Sequence, residues 1–131
     1  MKSTEHKEQC AFVSLPWPPS QLSPNARTHW AAKAKIAGSY KRKCWLAAKS
    51  AMARGDLFLP DADKILLALI FFPPDKRKRD DDNLIAAFKS GRDGLALALG
   101  IDDSRFVTRF RIADATTPGG DVLAELMEYT E

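Results

Sequence analysis

The sequence is poor in the residues that make disulfide, soft-metal or histidine chemistry. Its 131 residues include two cysteines, Cys10 and Cys44, far apart and outside any CxxC pattern, and two histidines, His6 and His29. No disulfide framework or Cys/His zinc site can be built from that inventory, and the cysteines read as thiols in a reducing cytoplasm. Long apolar runs are missing too. The strongest, Ile65–Phe72, has eight residues, far short of the roughly 20 that span a bilayer. Residues 1 to 9 are polar and charged, without the apolar core of a signal peptide. Charge of one sign does not dominate either. The net charge is +3, so any affinity for nucleic acid has to come from local clustering rather than from the whole-molecule field. Serine-nucleophile and phosphate-loop patterns (GxSxG, GxxxxGK, GxGxxG) are absent, as are internal repeats.

What is present is the composition of one soluble globular domain, 45% apolar and 28% charged. Residues 1 to 10 read as a tail and residues 11 to 131 as the domain. A short apolar run near residues 11 to 15 suits an edge strand, halted by Pro16, Pro18 and Pro19. Thr28 is placed to cap a proline-free helix over residues 29 to 54, with Ile36, Tyr40, Cys44 and Ala47 on its packing stripe. Lys35, Arg42 and Lys49 make a basic stripe on the same helix, either a solvated face or a phosphate-tracking one. His29 reads as a loop or capping contact. Ile65–Phe72 has the unbroken apolar character of a central strand buried on both faces.

A second helix is expected over residues 84 to 99, with Leu84, Phe88, Gly91, Leu95 and Leu99 as its core stripe and Asp82 as a candidate N-cap. Alternation over residues 105 to 112 and an apolar run over residues 122 to 129, separated by Thr117-Pro118-Gly119-Gly120, predict a closing antiparallel hairpin. The expected fold is α/β (α+β): a single two-layer domain with a mixed β-sheet packed by helices, in the order β-α-β-α-β-β.

The chemistry concentrates between residues 76 and 103. Lys76, Arg77, Lys78 and Arg79 run directly into Asp80, Asp81, Asp82 and Asn83, and a second acidic pair, Asp102-Asp103, follows Gly100. Adjacent carboxylates repel one another unless a cation is near. Hard divalent ions such as Mg²⁺ take a few carboxylate oxygens and keep their waters. The neighbouring bases would draw in a polyanion that the acids alone would repel. In extended backbone Asp80 and Asp82 share a side, so both can face one ion. Asp102-Asp103 return to the end where the helix began only if Gly100 turns the chain back; the helix is about 24 Å long when straight, and a break near Gly91 or Gly94 would bring the pair closer. Helical phase puts Lys89 and Asp93 on the face of Asp82, where a lysine could hold a phosphate. The competing reading makes the acids helix caps and surface ion pairs, and Lys89 the i, i+4 partner of Asp93. An EF-hand is a poor fit, since Ile85 and Gly91 stand at its sixth and twelfth positions.

Four segments together resemble the RusA family of Holliday junction resolvases of phage and prophage type. They are LPWPPS at residues 15–20, RDDDN at residues 79–83, the helix bearing Lys89 and Asp93-Gly94-Leu95, and GIDDSRFV at residues 100–107. The resemblance implies a homodimeric endodeoxyribonuclease that cuts four-way DNA junctions symmetrically in recombination or repair. It implies one or two Mg²⁺ ions per subunit, with Mn²⁺ as a substitute. By that resemblance Asp80, Asp82 and Asp103 hold the metal, Asp102 flanks them, Lys89 is the catalytic lysine and Arg79 the functional arginine; clustered charge makes Lys76, Arg77, Lys78 and Arg79 the expected DNA contacts. Family members commonly carry that lysine about one turn after the second aspartate, where this chain has Ala86. The implied location is the bacterial cytoplasm or nucleoid, with no membrane partner. Two other classes stay open on the residues: a non-catalytic junction-binding accessory protein of the same fold, and a metal-stabilised structural protein.

Overall fold

The computed structural model describes residues 10 to 130, so all of the expected tail but Cys10 lies outside the described residues. Four strands and three helices follow in order: β1 (Ala11–Leu15), α1 (Trp30–Arg54), β2 (Ile65–Phe72), α2 (Asp81–Ala87), α3 (Lys89–Leu99), β3 (Phe106–Ile112) and β4 (Asp121–Glu128). Short 3₁₀ turns stand at Ser20–Leu22 and Asp103–Arg105. The expected mixed α/β domain is what forms. None of the helices among the described residues is long and apolar enough to cross a membrane.

The strands make one sheet in the order β1-β4-β2-β3. β2 pairs parallel with β3, Ile65 opposite Phe106, and antiparallel with β4, Phe71 opposite Val122. β4 also pairs antiparallel with β1, Leu15 opposite Val122. The expected closing hairpin is therefore wrong. β3 and β4 are consecutive but lie on opposite sides of β2, because a parallel partner for β2 leaves only its other edge for an antiparallel one. The alternation read over residues 105 to 112 survives this, since the period of two does not depend on which strand is the neighbour.

All three helices serve one face. Val13, Leu15, Ile65, Leu67, Leu69, Phe71, Val122 and Ala124 point to it and are almost fully buried, together with Tyr40, Cys44, Ala48, Phe88 and Leu95 from the helices. β2 is central, as expected, but is buried on one face and only half-covered on the other, where Leu66, Ala68, Ile70 and Phe72 stand. Its unbroken apolar run does not mark a strand sandwiched between helix layers.

α1 starts one residue later than expected, and His29 rather than Thr28 caps it, its Nδ1 accepting from the Ala31 amide at 3.2 Å. Gly91 and Gly94 let α3 lie directly on α1. A Cβ at Gly91 would stand 2.7 Å from Tyr40 Cε2, and one at Gly94 would collide with the Lys41 carbonyl oxygen. The second helix is not continuous. It breaks at Phe88, whose ring is fully buried between Tyr40 and Phe71, with centroids 6.4 and 5.6 Å away. The break falls at Phe88 and at neither glycine.

Candidate functional site

β2 ends at Phe72, and Pro73-Pro74 lead into the loop that carries the bases and acids. Asp75 organises this loop. Its Oδ1 accepts from the Arg77 amide at 3.0 Å, from Arg77 Nε at 3.2 Å and from Arg79 Nη2 at 2.9 Å. The Arg77 backbone amide, followed by the two guanidinium groups, holds the Asp75 carboxyl down at about 2, against an ordinary value of 3.8. Arg79 Nη1 donates to the Asp75 and Arg77 carbonyls, and its guanidinium lies 5.6 Å from the centre of the Trp17 ring. Trp17 in turn stands edge-on to Phe71 at 6.0 Å and against Gly120, where a Cβ would come within 2.7 Å of the indole. Gly120 is therefore obligatory twice, by this contact and by its φ of +77°.

Arg79 is thus occupied inside the loop, its side chain only 18% exposed, whereas Lys76, Arg77 and Lys78 are exposed. Asp80 is the N-cap of α2, its Oδ1 accepting from the Asn83 amide at 3.1 Å, and Asp81 and Asp82 fill the exposed first turn. The cap falls on Asp80, not on Asp82 as expected. Helix therefore begins one residue after Asp80, so the extended-backbone argument that set Asp80 and Asp82 on one side does not apply; successive helical positions two apart lie on different faces. Beside them is a cavity of about 210 Å³ lined by Trp17, Ser20, Arg79, Asp80 and Asn83.

Asp103 sits elsewhere. It opens the turn before β3, next to Phe106, and Phe106 pairs with the first residue of β2. Arg79, next to Asp80, lies over Trp17, which stands against Phe71 near the last residue of β2, so the two acidic groups lie toward opposite ends of that strand. The break at Phe88 does not bring them together. Among the described residues no three acidic, histidine or cysteine side chains are placed to hold a metal. Asp103 is instead paired with Arg92, Nη1 to Oδ2 at 3.1 Å; Nη2 donates to the Asp103 carbonyl and Nε to Thr108 Oγ1. Asp102 caps the same turn, and the Ser104 amide bonded to its carboxylate lowers its pKa.

Lys89 opens α3 with its side chain 72% exposed, and its Nζ lies 3.8 Å from Asp93 Oδ2, the i, i+4 pair foreseen as the structural alternative. It shares a groove of about 380 Å³ with Lys33, Ser90, Asp93 and Trp30, whose indole is 77% exposed.

Three residues that hold these groups escaped the sequence reading: Trp17, Asp75 and Arg92. The i, i+4 spacing of Asp75 and Arg79 was a readable signal. Nothing in the spacing of Arg92 and Asp103, eleven apart, marks them as partners.

No family model matches the chain. It is 40% identical over 124 residues to an uncharacterized protein of Xylella fastidiosa (strain Temecula1), a match that spans 95% of this chain and 80% of that protein. The chain belongs to that protein's family. The match extends over both ends of β2, so the loop after β2 and the turn before β3 fall within the stretch compared or at most a few residues from it.

Proposed function

We propose that the protein is a Mg²⁺-dependent, structure-selective endodeoxyribonuclease of the RusA type. It would act as a homodimer on branched DNA in the bacterial cytoplasm. The observation that carries this reading is the loop after β2, which presents three exposed bases and an exposed acidic helix start on one fixed frame. Asp75, Arg79 and Trp17 supply the frame. Buried structure of this kind has no need of Lys76, Arg77, Lys78, Asp81 and Asp82, which are all exposed.

The donor set fits Mg²⁺ at one end of β2 only. Asp82, exposed in the first turn, suits an ion that takes a single carboxylate and fills its shell with water and phosphate oxygens, and Asp80 would join it only through the oxygen that does not cap the helix. Asp103, toward the other end of β2 and paired with Arg92, lies outside that set. Bound there, Mg²⁺ would lower the pKa of a water and screen the phosphate. The protein's own groups do the rest. Lys76, Arg77 and Lys78 contact backbone phosphates, and this affinity is independent of sequence. Arg79 keeps the acidic turn at a fixed distance from those bases. Lys89, released from Asp93, is the remaining cation for negative charge on the phosphoryl group. Hydrolysis would leave a 5′-phosphate and a 3′-hydroxyl.

The ion pair between Arg92 and Asp103 favours one other reading, a junction-binding protein of the same fold without cleavage. A synthetic four-way junction incubated with the protein, with and without Mg²⁺, separates the two. Paired nicks that require the metal support the nuclease. Salt-sensitive binding without nicks supports the accessory protein, and the absence of both defeats each.

A further inference from the structure

Trp30 is the most exposed large apolar side chain among the described residues. It takes no part in the core, whereas Trp17 and Trp45 both pack against it. It opens α1 beside the capping His29, the two rings 5.6 Å apart and tilted by 32°. Its indole borders the groove of about 380 Å³ between the start of α1 and the start of α3. Ser90 stands in the wall of that groove, and its hydroxyl is buried without a hydrogen-bond partner among the described residues. Two cations flank the groove. Lys33 is held by the Ser23 carbonyl at 3.2 Å, and Lys89 lies loosely against Asp93 at 3.8 Å. α1 itself carries no aspartate or glutamate, and Lys33 and Lys35 stand in its first two turns, where the helix dipole already adds positive charge.

We propose that this groove receives an unpaired base of the DNA, stacked on Trp30 with its flanking phosphates against Lys33 and Lys89. An exposed indole offers its face to any base, and stacking of this kind tolerates every sequence. The rim cations match the phosphates on either side of that base, whereas an apolar protein segment would leave them without partners. Place supports the same occupant. Ala87 lines both this groove and the cavity beside Asp80, so the groove adjoins the acidic helix start, about 10 Å away along α2. Lys89 borders the groove and is also the cation assigned above to the phosphoryl group, so the base received belongs to a nucleotide next to the cut. A base at a branch point has lost a stacking neighbour, which lowers the cost of turning it out. The position beside the cut rests on the nuclease reading. The stacking itself rests on Trp30 and the charge around it.

Binding of a short oligothymidylate to the full chain, followed by fluorescence anisotropy without Mg²⁺, tests the proposal. Trp30→Ala should weaken it by about 5- to 100-fold with an unchanged far-UV spectrum, and Trp30→Phe far less, since a ring remains. A blunt duplex of the same length should bind Trp30→Ala and wild type alike. On a four-way junction with 2-aminopurine at the branch point, wild type should alter the probe's emission and Trp30→Ala should not. Oligothymidylate binding indifferent to Trp30→Ala, or an equal loss on the blunt duplex, would overturn the proposal. Stronger Trp30-dependent binding of oligouridylate would assign the groove to RNA, and a change in sedimenting mass with DNA binding intact would assign it to a protein partner; either overturns it. Junction cleavage without Trp30-dependent stacking would remove the base site and leave the nuclease. Trp30-dependent stacking by a protein that never cleaves would do the reverse.

Discussion

The two ends of β2 carry the same chemical parts, aspartates beside an arginine, arranged to opposite effect. After Phe72, Arg79 turns away from the acidic helix start and closes on Asp75, so Asp81 and Asp82 are exposed and pair with no cation among the described residues. Before Phe106, Arg92 closes on Asp103 itself and uses its other nitrogens on Thr108 and the turn carbonyl. One arginine leaves its neighbouring acids available and the other consumes one. The position of the guanidinium, more than the number of aspartates, decides where a metal or phosphate could be received.

The strongest way to sharpen this contrast is to remove the acids one at a time. Asp82→Asn should lower junction cleavage by more than about 100-fold, since losses of that order follow even from changes behind a metal ligand. Binding should hold or tighten, because a negative charge facing DNA is gone. Asp103→Asn should cost far less if Arg92 keeps its carboxylate out of the reaction. An equal loss at both positions would mean that the pair with Arg92 opens in the working enzyme.

Next in size is the frame itself. Arg79→Ala removes the contact with Trp17 and two carbonyl partners, and should destabilise the fold by about 1–3 kcal/mol in denaturant melts. Arg77→Ala, exposed and bonded to the same Asp75, should change stability by less than about 0.5 kcal/mol. Comparable losses would show that Arg79 is not the inner member of the pair.

A smaller effect is expected from replacing Lys76, Arg77 and Lys78 together by alanine. The slope of log affinity against log salt should flatten by about 2–3 if each contacts one phosphate. An unchanged slope would place them in solvent only.

The smallest concerns protons. The Asp75 carboxyl titrates at about 2 when folded, against 3.8 ordinarily. A lowered value means that its contribution to stability is complete above pH 3.8 and fades between there and about 2. An NMR titration of that carboxyl in the wild type and in Arg79→Ala should show a higher midpoint in the variant.

Sequence pattern alone carried much of this structure. The long first helix, the central strand, the helical character of residues 84 to 99 and the alternation of β3 all follow from local periodicity, whereas the break at Phe88 does not. Strand neighbours do not. The choice of β2 rather than β3 as the partner of β4 depends on contacts between distant segments, and the turn Thr117-Pro118-Gly119-Gly120 looks the same for a hairpin or a longer crossing. In the site, residue types and cluster were legible, and so was the capping role of His29. The cap at Asp80 and the pairing of Arg92 with Asp103 were not, because each depends on where a helix begins or what folds back against it.

The insertion of β4 between β1 and β2 also orders events in time. β1 has no partner among the described strands until β4 arrives, and Gly120, the seat of Trp17, lies one residue before that strand. A chain still emerging from the ribosome can form its helices and pair β2 with β3, yet Trp17 has no fixed position under Arg79. The loop that presents the acids and bases is therefore set only when β4 docks. Contacts of such long sequence separation fold slowly. A newly made molecule would accordingly have no competent loop until β4 has emerged and docked.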